Sequence, residues 1–455
     1  MNRRKFLKTS AGALSASSLG GMAAALSGFN AQAADTAGYK ALVCVFLLGG
    51  NDNHDTLIPY DAASYGRYAR IRQSLLTQYA GRRDRGKLLP LTPDNGGKFG
   101  GRQFALPPEM TGLQALFNQG NAAIVGNVGP LLQATNRSEF ELESVTLPPS
   151  LFSHNDQQAV WMSSSPEGAQ QGWGGAFVDA VRSNNSQPEF SAITSGGNDL
   201  FLTGQRTAPY QIGREGAQQI RATESAYSSR QEALLQAHFR SAGFSSDHLI
   251  RQDMANLMRA AYDTNQKYNQ ALNSAAALNT TFPNGELSSQ LKAVARTIAM
   301  RDSLSVNRQV FIVGMGGYDT HDQQASALPR LHGQLDSALT AFYMAMNELG
   351  LSNNVTLFTA SDFGRTLAIN GDGTDHGWGA HHFVVGGAVK GRNIYGDVPV
   401  ADFNHAQDAG GGRLIPTTSV EQFAAPLGSW FGLNETELQT ALPNLGNFGG
   451  RPAFI

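Results

Sequence analysis

Ala41-Leu42-Val43-Cys44-Val45-Phe46-Leu47-Leu48-Gly49-Gly50-Asn51-Asp52 runs from unbroken apolar chain straight into two glycines and a polar turn. The run is short and contains Val43, Val45 and Phe46, so it reads as a strand. It does not alternate with polar residues, so both of its faces call for burial. A parallel sheet covered on both sides meets that need. The same reading fits Ala122–Val128, Gln309–Val313, Val355–Thr359 and Phe383–Val385. Leu328, Leu331, Leu335, Leu339, Phe342, Met346 and Leu349 recur at three- and four-residue spacing just before the strand at Val355. Strand, amphipathic helix, strand is a βαβ unit. The sequence therefore predicts an α/β fold with a mostly parallel central sheet between helical layers.

Such sheets put their sites at the carboxyl ends of strands. Here those ends carry Gly49-Gly50-Asn51-Asp52-Asn53-His54-Asp55, Gly316-Gly317-Tyr318-Asp319-Thr320-His321-Asp322 and Ala360-Ser361-Asp362-Phe363-Gly364-Arg365. Close behind follows Gly373-Thr374-Asp375-His376-Gly377-Trp378-Gly379-Ala380-His381-His382. Asp offers hard oxygen and neutral His offers nitrogen. A mixed set suits zinc, manganese or a related divalent ion, whereas calcium prefers oxygen alone. Each cluster also has an ordinary reading. Asp52 alone would be a helix cap or turn residue. Asp319 and His321 would make a hydrogen-bonded turn. His381 and His382 point to opposite faces of a strand, so at most one faces a site. Four such clusters at strand ends together point to a metal or catalytic site.

A further stretch is Pro148-Pro149-Ser150-Leu151-Phe152-Ser153-His154-Asn155-Asp156. Ser153 reads as a nucleophile, with a metal a better activator than its chain neighbour His154. It also reads as the cap of a helix leading to Trp161, and a helix N-terminus favours an anionic group.

The N-terminus begins Met1-Asn2-Arg3-Arg4-Lys5-Phe6-Leu7-Lys8, followed by a mildly apolar run to about Leu26 and then Ala31-Gln32-Ala33. This is the pattern of a twin-arginine signal peptide over residues 1–33, cut after Ala33. The run is too short and too rich in Gly and Ser for a stable span, so no membrane span is expected after cleavage. Export by the twin-arginine translocase to the periplasm or cell exterior follows as an expectation. Net charge is −2 with 15% charged residues and no basic block, which argues against a nucleic-acid partner. The one cysteine, Cys44, excludes an intrachain disulfide and reads as a small buried hydrophobe. Residues 34–455 read as one domain, because no linker is clean enough to force a second. Within it, about 215–277 reads as a helical insertion. Gly81–Gly101 and the tail from Pro443 read as loops.

Taken in order, the twin-arginine leader, Leu47-Leu48-Gly49-Gly50-Asn51-Asp52, Phe152-Ser153-His154, Tyr318-Asp319-Thr320-His321, Ser361-Asp362-Phe363-Gly364-Arg365-Thr366 and Gly373-Thr374-Asp375-His376-Gly377 resemble the exported bacterial family called domain of unknown function 1501. That family is related to the alkaline phosphatase and sulfatase superfamily. The resemblance implies an alkaline-phosphatase-like fold with a two-metal site at one sheet edge. Carried over, it implies Asp52, Asp319, His321 and Asp362 as metal ligands and Ser153 as nucleophile. The superfamily's Asp-His-Gly reads here Asp362-Phe363-Gly364, so an imidazole is missing. His376 with Asp375, and His382 or His381, stand in for it. Arg365 is assigned to an anionic substrate oxygen. The expectation is a metal-dependent hydrolase of phosphate or sulfate esters. The alternative is a non-catalytic exported assembly or binding protein on the same fold. An oxidoreductase lacks support, since no dinucleotide fingerprint, haem motif or cysteine cluster is present.

Overall fold

The computed structural model describes residues 38–166, 168–197, 200–218, 228–241 and 249–455. The leader and its cleavage point lie outside the described residues. The strands are β1 (Lys40–Leu47), β2 (Ile58–Pro59), β3 (Leu89–Pro90), β4 (Phe104–Leu106), β5 (Ala122–Gly129), β6 (Ala192–Thr194), β7 (Tyr210–Gln211), β8 (Arg308–Met315), β9 (Val355–Ser361), β10 (Ala380–Val385), β11 (Ile394–Gly396) and β12 (Thr418–Ser419). The main sheet runs β11-β5-β10-β9-β1-β8-β6-β7, with β12 also beside β5. All pairings in it are parallel except those of β10, which runs antiparallel to β5 and β9. A three-stranded antiparallel sheet, β2-β4-β3, lies apart from it.

The opening run behaves as read. On β1, Ala41, Val43, Val45 and Leu47 enter one core, while Leu42, Cys44 and Phe46 enter the other. The first core is roofed by the helices Thr111–Asn118, Glu286–Ala299 and Gln324–Glu348. The second is roofed by His154–Ser163, Trp173–Val181 and Val420–Phe431. Two-sided cover is what a continuous apolar strand demands. Cys44 is free and buried, as its setting predicts. Among the described residues no helix is long and apolar enough to cross a membrane.

One loop reading needs correction. Gly81–Gly101 is not only surface loop: it contributes β3, and Arg83, Leu88, Leu91 and Phe99 from it are buried. Arg and Phe there are held by tertiary partners that loop composition does not reveal. The tail from Pro443 is irregular, but Phe454 is fully buried. The helical stretch about 215–277 contains Ser229–Ser241 and Leu249–Ser274.

One topological fact builds the site. β8, β1 and β9 are adjacent and parallel, with Leu47 level with both Met315 and Ser361. Their carboxyl ends therefore open side by side. Gly49 (φ +115°) and Gly50 (φ +92°) let the flanking loops close over them. A Cβ at Gly49 would lie 2.3 Å from the Asp319 nitrogen, and one at Gly50 2.6 Å from the Phe363 ring.

Candidate metal centre

Asp319, four residues past β8, is the hub. Its Oδ1 lies 3.0 Å from His321 Nε2 and 3.2 Å from His376 Nε2, and its Oδ2 lies 3.6 Å from His154 Nε2. His321 Nε2 and His376 Nε2 are 2.8 Å apart. One ligand atom from each of His154, Asp319 and His376 falls within 4.8 Å of the others.

The far sides of the three rings explain their orientation. His376 Nδ1 lies 2.7 Å from the Phe152 carbonyl oxygen, which can only accept, so Nδ1 carries the proton. His154 Nδ1 lies 2.6 Å from Asp362 Oδ2. His321 Nδ1 faces Asp375 Oδ1 at 3.4 Å. In the neutral rings this pattern leaves three Nε2 lone pairs directed at one carboxylate. Lone pairs and an anion repel unless a proton or a cation lies among them. An imidazole held through Nδ1 by a carboxylate or carbonyl, with Nε2 free, is the arrangement of metal-bound histidine. Ligand atoms around a tetrahedral zinc with bonds of about 2.0–2.1 Å stand about 3.3 Å apart. The 2.8–3.2 Å separations within His321, His376 and Asp319 come close to that. Three nitrogens and one oxygen fit zinc or a similar borderline ion.

Protonation tendencies divide the group: without an ion His154 favours its protonated form and His376 its neutral form. The hydrogen bond to Asp362 raises the His154 pKa above its usual value, against partial burial. Burial lowers His376, which favours its neutral form. Burial raises Asp319, but the Arg365 hydrogen bond and charge, with His321 and His154, outweigh it and hold the carboxyl below its usual range. Asp319 and His321 keep 46% and 41% of their side chains exposed, so the group opens to solvent.

Asp362 is fully buried at the end of β9 and also accepts from the Gly49 amide and from Gln158 Nε2. It holds His154 and does not converge with Asp319. Asp362→Asn keeps the shape and removes the charge. Its expected effect is a loss of about 10–100-fold in metal affinity, measurable by competition with a chromogenic chelator.

Several sequence assignments are not brought into this group. Asp52 is buried in a two-pronged pair with Arg72 at 2.6 and 3.0 Å, and also accepts from Gln324 Nε2 and the His54 amide. Both of its oxygens are engaged, so it has none to offer an ion. Asp375 supports His321 from behind and takes Asn370 Nδ2 at 2.9 Å. His382 faces the core, edge-on to Trp161 at 5.6 Å, and burial lowers its pKa to about 3. His381 accepts from the Asn127 amide through Nδ1 and is also buried. Neither of these histidines faces the group. Arg365 is fully buried. It donates to Asp319 Oδ1, the Gly49 carbonyl and both the carbonyl and Oγ1 of Thr374, so it steadies Asp319 and does not reach outward. Ser153 sits between Phe152 and His154, beside the group, but its hydroxyl donates to Asp156 at 2.8 Å. Phe363 packs against the His154 and His376 rings at 4.8 and 4.6 Å. The place of the missing imidazole is thus filled by an apolar ring.

His154 was not among the metal candidates named from the sequence, yet it stands in this group. The signal was present: it is the first residue of a helix, directly after a cap, near other strand-end histidines. Its role depends on that helix start lying beside β9, which no spacing in the sequence encodes.

Comparison with solved structures gives only loose likeness. The chain resembles Ps i-CgsB at 7% identity and TM-score 0.34, covering 90% of this chain and 77% of that one. It resembles the PsFucS1 sulfatase from Pseudoalteromonas sp. at 9% identity and TM-score 0.31, covering 78% and 64%. It resembles the alkaline phosphatase from the Antarctic bacterium TAB5 at 11% identity and TM-score 0.28, covering 77% and 92%. At these scores the likeness says nothing of chemistry. No curated protein matches the chain in sequence. The family "Protein of unknown function (DUF1501)" matches residues 39–441, nearly all of the chain beyond its first strand's approach, and the chain belongs to that family.

Proposed function

We propose that this chain is an exported, single-metal hydrolase of phosphate or sulfate esters. The observation that carries the reading is the convergence of His154, His321 and His376 through Nε2 on Asp319, with each Nδ1 tied behind. When bound there, a divalent ion supplies Lewis acidity to an ester oxygen and lowers the pKa of an attacking group. The chain's own residues do the rest. Arg365 and Asp362 hold the ligand set in place. Ser153 stands at the N-terminus of His154–Ser163, where backbone N–H groups favour an anion. Its hydroxyl already donates to Asp156. In this reading Ser153 Oγ bonds to phosphorus or sulfur, its proton passes to Asp156, and the bond to the ester oxygen breaks. The released oxygen takes a proton from water, and the hydroxide left behind takes the proton from Asp156, which restores its carboxylate. Water then cleaves the ester on Ser153.

A second reading has one observation in its favour. The Ser153 hydroxyl is turned along its own helix toward Asp156, not toward Asp319. On that reading the chain binds or assists assembly at the cell surface and catalyses nothing. Aryl phosphate and aryl sulfate assays of the zinc- and manganese-loaded protein separate the two. The hydrolase reading expects turnover that falls at least about 100-fold in Ser153→Ala with metal content unchanged. Absence of turnover with both ions would leave the binding reading. Full activity in Ser153→Ala would remove the nucleophile assignment alone. The export part is tested by replacing Arg3-Arg4 with Lys-Lys, which should keep the protein in the cytoplasm.

A further inference from the structure

The helix Leu249–Ser274 carries one apolar line with two fates. An α-helix repeats about every 3.6 residues, so Tyr268 lies about five turns past Ile250 and on the same line, as does Leu272 relative to Met254. Tyr268 and Leu272 are 1% and 9% exposed, whereas Ile250 and Met254 are 66% and 60% exposed. The second half of the helix is tied down. Tyr268 Oη meets Thr297 Oγ1 at 2.7 Å, Asn265 accepts from Tyr210 at 2.8 Å, and Lys267 pairs with Glu189 at 3.5 Å. Among the described residues the first half continues the same stripe with its apolar positions uncovered. Leu257 is 70% exposed, and Met258, Leu249 and, on the preceding helix Ser229–Ser241, Leu234 are 49%, 76% and 64% exposed.

An isolated surface leucine needs no explanation, but a stripe of this kind does. Ile250, Met254, Leu257 and Ala261 follow the alternating four- and three-residue spacing of a coiled-coil seam. We propose that this face pairs with the same face of a second copy of the chain, the two helices lying parallel about a two-fold axis. The charged edges of the seam select a second copy. At roughly 100 Å² of removable surface per side chain, Ile250, Met254, Leu257 and Met258 amount to about 400 Å² per copy and about 800 Å² per pair, the size of a weak, reversible contact. The seam is edged by Arg251 on one side and Asp253 on the other. Parallel two-fold pairing sets the basic edge of one copy against the acidic edge of the other. A bilayer with anionic lipids would call for basic residues on both edges.

The test is sedimentation velocity of the purified chain at about 100 µM. A dimer is expected, and Met254→Glu with Leu257→Glu should halve the mass while leaving the melting temperature and metal content unchanged. Arg251→Asp should weaken the dimer, and adding Asp253→Arg should restore it, a rescue that misfolding would not produce. A monomeric wild type at that concentration overturns the proposal. So does a double Glu variant that stays dimeric. Phosphatidylglycerol vesicles that capture a monomeric wild type but not the Glu variant would overturn it in favour of a membrane. None of these outcomes depends on the metal reading.

Discussion

Asp319→Ala should leave a folded protein that no longer retains a divalent ion and no longer hydrolyses esters. Among the described residues Asp319 is the group that all three histidines face, with contacts of 3.0, 3.2 and 3.6 Å. Removing it takes away the anion of the set and leaves three neutral rings, a weaker and more loosely arranged donor group. Loss of a supporting contact alone costs about 10–100-fold in affinity, so loss of the hub should exceed that. Activity that depends on the ion should fall by at least about 1000-fold. The fold should tolerate the change, because Asp319 is half-exposed and lies beyond the end of β8. Ester assays with thermal melts of the same samples check both halves of the statement. Arg365 is affected too. Its buried guanidinium loses the Asp319 carboxylate in the variant and keeps only the neutral acceptors of Thr374 and Gly49, so a clear loss of stability is expected beside the loss of the ion.

Arg72→Ala should act in the opposite way, on stability more than on chemistry. Arg72 and Asp52 are both fully buried and meet through two hydrogen bonds, and Arg72 also donates to the carbonyls of Leu367 and Thr366. Removing one partner strands the other's charge away from water, which costs about 3–5 kcal/mol. Denaturant titration should show that loss, and Asp52→Asn added to Arg72→Ala should recover part of it. Acid titration provides a second check. Burial pushes Asp52 up, but the charge and hydrogen bonds of Arg72, with His54 and Gln324, outweigh it and hold its carboxyl below the usual value. A depressed folded pKa contributes stability that is fully present above the unfolded value of about 3.9 and is lost as pH falls through the folded value. The wild type should therefore lose this contribution only below about pH 4, and Arg72→Ala should have lost it already at neutral pH.

These two residues show how far the sequence could be read. Asp52 follows a strand and a Gly-Gly turn, as a metal ligand at a sheet edge would. Nothing in its own neighbourhood announces that Arg72, the residue that ends the helix Ala62–Ile71, folds back and takes both of its oxygens. The strands were legible because burial on both faces leaves a continuous apolar mark, as on β1, β5, β8 and β9. The stripe from Leu328 to Leu349 was legible for the same kind of reason and tolerates Pro329 inside its helix. Asp319 and His321, just past β8, and His376, in the loop between β9 and β10, were named from the sequence, and the structure brings them together. His382 was misread, since a period of two allows a strand histidine either face and only packing against Trp161 and Phe423 decides between them. His154 was not named as a metal candidate because its partners come from three other segments.

The most direct measurement is the metal content of the purified mature protein after dialysis against micromolar zinc or manganese, beside Asp319→Ala and His376→Ala prepared in parallel. About one ion per chain in the wild type, and none in either variant, is the result the account predicts. No ion in the wild type, or the same ion content in all three proteins, would contradict it.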